Sequence, residues 1–136
     1  MDKRKEDNVL IYYEVEMIEE KIDDYLNEKK KGKKIRLLID DERFLDVDIV
    51  ARTAKEGKKY LALYKGNIIE LYLDGILSSN VNAETGYDVL EWALRNNLMP
   101  PYVKIVSDSP DMIKIMGLKL ISAGYKRYND REYRKK

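Results

Sequence analysis

The stretch Lys34-Ile35-Arg36-Leu37-Leu38-Ile39-Asp40-Asp41-Glu42-Arg43 constrains the fold more than any other part of the chain. An apolar run this short, closed on both sides by charge, reads as a buried central strand rather than a helix. Its carboxyl end then delivers Asp40 and Asp41 to one edge of a sheet. In open α/β sheets that edge is where ligands bind.

The rest of the chain repeats the pattern. Asp48 to Arg52 reads as a second strand, and Thr53 with Glu56 three residues on forms a capping pattern for a helix over 54–65, stopped by Gly66. A third strand, 68–73, delivers Asp74, and a Ser- and Asn-rich loop follows to Gly86. A helix over 87–97 ends before Pro100-Pro101. A fourth strand, 102–106, delivers Ser107 and Asp108. Ser109-Pro110 opens a helix over 111–123, and Gly124 ends it. Residues 125–133 read as a short edge strand and 134–136 as a basic tail. Strands alternating with helices predict an α/β fold with three layers and a mostly parallel sheet of four to five strands.

Upstream, residues 1–8 are charged. Ile11, Val15, Ile18, Ile22 and Tyr25 or Leu26 recur at helical spacing, which predicts an extra N-terminal amphipathic helix over 9–31. Its acids come early (Glu14, Glu16, Glu19, Glu20) and its lysines late (Lys29, Lys30, Lys31), as the helix dipole favours. The expected organisation is a charged and helical segment at 1–32 followed by an α/β domain at 33–136. The helix either covers its own domain or pairs with another copy, giving a homo-oligomer.

Composition narrows the chemistry. The chain has 136 residues, with no cysteine and no histidine. Thiolate chemistry is excluded, and so is the usual neutral-pH proton carrier. The 26 basic and 25 acidic residues nearly cancel, so no global field recruits nucleic acid. The basic runs Lys29–Lys34 and Arg131–Lys136 read as solvated ends. No signal pattern or membrane-crossing run is visible, and the expected location is the cytoplasm. Eleven tyrosines against one phenylalanine supply half-buried surfaces, and Tyr72 or Tyr87 is a candidate for stacking on a base.

If the strands are parallel, Asp40, Asp41, Asp74, Arg52 and Ser107 share one rim. Clustered carboxylates repel unless a cation or protons compensate. Mg²⁺ held by Asp40, Asp41 and Asp74, together with a phosphate, is a natural occupant. Arg43 and Arg52 are candidate phosphate donors, Ser107 can donate to a phosphate oxygen, and the helix opened by Ser109 offers free backbone N–H groups.

In this order the motifs resemble a receiver-like (flavodoxin-like) family, the cyclic-phosphate processing receiver domains. Asp40-Asp41-Glu42-Arg43 matches the family's D-D-E-R. Arg52-Thr53-Ala54 with Glu56 matches its R-T-A and following glutamate. Thr85 to Val89 matches T-G-Y-D-V, and Pro100-Pro101 its P-P. The resemblance covers about residues 34–123. It implies a receiver topology and phosphoester chemistry by two histidines, which here are replaced by Gly75 and Val106. The resemblance therefore points to a domain that holds a phosphorylated small molecule or cyclic nucleotide without cutting it efficiently, as a phage or mobile-element protein sequestering a signalling nucleotide would. The other readings are an interaction protein with a vestigial site, a metal-dependent cyclic-phosphate phosphoesterase, and a phospho-acceptor receiver whose lysine is Lys126.

Overall fold

A computed structural model describes residues 32–80 and 82–136. The expected helix over 9–31 lies outside the described residues. The elements run β1 (Ile35–Ile39), β2 (Ile49–Ala51), α1 (Ala54–Leu63), β3 (Ile68–Leu73), α2 (Gly86–Arg95), β4 (Tyr102–Ile105), α3 (Pro110–Ser122), β5 (Tyr125–Arg127) and β6 (Glu132–Lys135). They build one six-stranded sheet in the order β2-β1-β3-β4-β6-β5. β1 to β4 are parallel, while β6 is antiparallel to both β4 and β5. The α/β, receiver-like, mostly parallel sheet expected from the sequence is therefore present.

The local signals act as their chemistry dictates. Thr53 caps α1 by accepting from Glu56 N, and Thr85 caps α2 in a reciprocal capping box with Asp88. Ser109 caps α3, with Pro110 at its first position, where the missing N–H costs nothing. The burial of β1, with Leu37, Leu38 and Ile39 all without exposed surface, is that of a central strand.

β1 passes to β2 through the loop 40–48 with no helix, as the sequence reading has it. The end of the chain differs from that reading. Residues 125–135 form a hairpin rather than one edge strand and a tail. Its turn is held by Asn129 Oδ1, which accepts from the N–H groups of Arg131 and Glu132 at 2.9 Å each, and by an Arg127–Asp130 ion pair. The basic residues at 131–136 hide a period-two alternation in which Tyr133 turns inward, 2% exposed, and Arg134 outward.

The three helices of the described residues lie on one face. Ile39, Leu73 and Ile105 form one cross-strand row on that face, and Leu37, Leu71, Val103 and Tyr133 the next. Gly57 of α1 abuts the Ile39 side chain, Gly117 of α3 abuts the Tyr133 hydroxyl, and α2 packs against both helices. The direction of the crossovers accounts for this. From β2 to β3, β3 to β4 and β4 onward the chain moves the same way across the sheet, so right-handed crossovers place every helix on the same side. The β1-to-β2 step and the β5-to-β6 hairpin run the other way, and neither carries a helix.

Candidate functional site

Because β1 is followed by a leftward step and β3 by a rightward one, the gap between their carboxyl ends is the sheet's topological switch point. A crevice opens at such points because the two outgoing chains diverge. Asp40 and Asp74 sit there, one residue past β1 and β3, with Asp41 beside them. These three carboxylates each bring an oxygen within 4.8 Å of the others.

Asp40 has no exposed surface. Its Oδ1 accepts from the backbone N–H groups of Glu42 and Arg43 at 3.0 Å each, an Asx-type turn that folds the start of the loop. Its Oδ2 meets Arg43 Nη1 at 2.5 Å. Arg43 also reaches Asp108 Oδ1 at 3.3 Å. Burial opposes the charge of Arg43, but the carboxylates of Asp40, Asp108 and Asp74 together outweigh it, and the guanidinium is held above its ordinary pKa.

Arg52, a candidate phosphate donor from the sequence, is engaged with the loop backbone. Its Nη1 donates to the carbonyls of Asp40, at 3.1 Å, and Arg43, at 2.7 Å, and its guanidinium lies 4.5 Å from the Phe44 ring centroid. Arg52 therefore fastens the loop from behind. Ser107 is buried and its Oγ accepts from Ser109 N at 3.1 Å, leaving its hydroxyl hydrogen available to donate.

Asp74 is half-buried, and its Oδ1 accepts from Ile76 N at 3.3 Å. Burial raises its pKa above the ordinary carboxylate value. The Ile76 N–H opposes that rise, and the charge of Asp40 adds to it. An acid with a raised folded-state pKa makes an unfavourable contribution above that pKa, and the contribution disappears once both states are protonated. Asp74→Asn in metal-free buffer is therefore expected to melt higher than the wild type at pH 7, with the gap closing below the ordinary carboxylate range of about pH 4. A thermal melt at both pH values tests this, and an Asn variant less stable at pH 7 contradicts it.

Asp41, Asp74, Ser107 and Ser109 line a cleft of about 270 Å³ together with Glu42, Ile76, Ser78, Ser79 and Asp108. Arg43 and Arg52 are not among its lining residues. Tyr72 faces the opposite side of the sheet, in the cross-strand row of Leu38 and Lys104, and Tyr87 packs on the core from α2. Neither tyrosine lines the cleft. Lys126 lies on β5, three strands from β3, about 14 Å away at ordinary strand spacing.

The supporting contacts of three residues escaped the sequence reading. Arg131 Nη1 donates to the carbonyls of Ile105, at 3.1 Å, and Ser107, at 2.8 Å, pinning the end of β4. Lys58, buried in α1, meets Glu84 at 2.5 Å and so ties the long loop after β3 to the helix layer. Neither carries a motif. Gly75 is the third. A β-carbon there would lie 2.6 Å from Met112 Cβ and 3.1 Å from Ser107 Oγ.

A family model described as the cyclic-phosphate processing receiver domain matches residues 35–120. The chain belongs to this family. The match runs from the start of β1 into α3 and takes in every residue of the rim described above. No curated protein and no solved structure matches. Among the described residues of this receiver domain, no helix is long and apolar enough to cross a membrane.

Proposed function

We propose that this receiver domain binds a phosphorylated small ligand, a nucleotide or cyclic nucleotide, together with a divalent cation at the carboxyl edge of its sheet, without hydrolysing it efficiently. The observation that carries the reading is the meeting of Asp40, Asp41 and Asp74 at the switch point. Among the described residues, the side chains lining the cleft include four acids and no base. A phosphate entering alone would be repelled, whereas one entering with Mg²⁺ is attracted. Asp41 and Asp74, which line the cleft, would hold the metal on the open side and Asp40 from beneath. Ser107 Oγ–H and the N–H of Asp111 in the first turn of α3 would hold phosphate oxygens.

Turnover is disfavoured by what occupies the two positions where relatives of the resembling pattern carry histidine. Val106 is 8% exposed, an apolar residue with no proton to move. Position 75 has no room for an imidazole while Met112 stands where it does. Positioned acid–base groups contribute roughly 10² to 10⁴ each in rate, so a site without them is suited to holding its ligand. Sequestration of a signalling nucleotide is the role such a domain would serve.

Isothermal titration with a panel of cyclic dinucleotides and NAD-derived cyclic nucleotides, with and without Mg²⁺, tests this. Heat should appear with at least one compound, depend on Mg²⁺ and vanish in Asp74→Asn, and the compound should be recovered intact. No heat with any of them overturns the reading. Recovery of a cleaved product, lost in the same variant, would replace it with a metal-dependent phosphoesterase.

A further inference from the structure

The sheet face opposite α1, α2 and α3 carries two cross-strand rows. One runs Arg36, Glu70, Tyr102, Arg134 and Lys126, the other Val50, Leu38, Tyr72, Lys104 and Glu132. The rows are knit together. Tyr72 and Tyr102 meet edge to face at 6.1 Å, Tyr72 Oη donates to Glu70 at 2.7 Å, and Arg134 lies 4.6 Å over the Tyr102 ring. Among the described residues no helix crosses this face. Yet Leu38 has no exposed surface and Tyr102 only 9%. A leucine on an uncovered sheet face, flanked only by neighbours in its own row, ordinarily keeps part of its side chain in water.

We propose that residues 9–31 form an amphipathic helix that packs on this face of its own chain, as the layer that the helix-free β1-to-β2 connection does not supply. Length and attachment favour the chain's own segment. Twenty-three helical residues span about 34 Å, enough to cross a six-stranded sheet about 24 Å wide on a diagonal. The segment ends at Gly32, whose φ of 85° suits the residue that stops a helix, and only Lys33 and Lys34 separate it from β1. That short link is itself anchored, because Asn67 donates to the Lys33 carbonyl and accepts from Ile35 N. The helix must therefore turn back over the centre of the sheet. Its apolar stripe, Ile11, Val15, Ile18 and Ile22, would meet Leu38, Val50, Tyr72 and Tyr102. Glu14 and Glu19 border that stripe, on the half of the helix that crosses toward Lys104 and Arg134.

The absence of native cysteine makes the test clean. In the full chain, single cysteines at Val15, Ile18 or Ile22 are combined with Tyr72→Cys or Lys104→Cys and treated with a short bis-maleimide. Cross-links are located by peptide mass, and ¹⁴N- and ¹⁵N-labelled chains are mixed to separate links within a chain from links between chains. Within-chain products should exceed by tenfold those from the polar-face controls Glu16→Cys and Glu20→Cys. Products between chains would assign the face to a second copy and overturn the proposal. So would products to Leu118→Cys or Ile121→Cys, in the groove between α3 and the β5–β6 hairpin, or no products at all. Should Tyr72→Cys fail to fold, the half-exposed Lys104→Cys still decides.

Discussion

Gly86→Ala is expected to lower the stability of the domain by about 3 kcal/mol, at the upper end of the range for forcing extra volume into a packed interior. An added β-carbon would lie 1.8 Å from the carbonyl oxygen of Asp74, 2.8 Å from its carbonyl carbon and 2.9 Å from Gly75 Cα. These are backbone atoms at the end of β3, so no rotamer change relieves the contact. Gly86 N also donates to the Gly75 carbonyl at 2.8 Å, so the first residue of α2 is locked to the strand end that carries Asp74. Alanine must push α2 outward, break that hydrogen bond and shift Asp74 with it. At an m-value of about 2 kcal/mol/M, the urea midpoint should fall by about 1.5 M. Gly66→Ala and Gly124→Ala are the controls. Both have positive φ, 86° and 98°, but a β-carbon there meets nothing within 4 Å, so the cost is local strain of about 1 kcal/mol. A Gly86→Ala loss no larger than theirs would contradict the close approach.

This glycine also marks the limit of what could be read from the residues. The strand-and-helix order was legible because short apolar runs, capping residues and Gly or Pro stops are local, and α1 and α3 begin at the Thr53 and Ser109-Pro110 signals read from the sequence. The convergence of Asp40, Asp41, Asp74 and Ser107 was legible too, since parallel pairing follows from the alternation. The hairpin after α3 was not, because Glu132, Tyr133, Arg134 and Lys135 look like a basic tail until β4 is there to pair with them. The duties of Arg43 and Arg52 were also hidden. An arginine near a phosphate-like site has the same letter whether it faces a ligand or a carbonyl, and only the folded loop shows Arg52 donating to the Asp40 and Arg43 backbone. Arg131 and Lys58 make contacts 24 to 26 residues away along the chain, a separation at which no local pattern operates.

The same distinction between holding the loop and facing the ligand can be measured at Asp40. In buffer with chelator, so that no metal contributes, Asp40→Ala is expected to cost about 3 kcal/mol. That is the low end for breaking a buried ion pair, because the Arg43 side chain keeps 30% of its surface in water. The loss has two parts. The N–H groups of Glu42 and Arg43 lose their common acceptor, and the Arg43 guanidinium loses its 2.5 Å partner. Asp40→Asn separates them, since its carbonyl oxygen can still accept from both N–H groups while its amide sets a donor or a neutral oxygen against Arg43. It should therefore be less damaging than alanine. Pairing Asp40→Ala with Arg43→Met removes the stranded charge, and the double variant should be more stable than the sum of the two single losses implies by about 1 to 3 kcal/mol. Additive losses would mean that Asp40 and Arg43 are not coupled. Adding Mg²⁺ then asks the functional question. If Asp40 serves only the loop, Mg²⁺ should stabilise the wild type and Asp40→Asn equally. If Asp40 supplies a third ligand oxygen to the cation held by Asp41 and Asp74, the stabilisation should shrink in Asp40→Asn and disappear in Asp74→Asn.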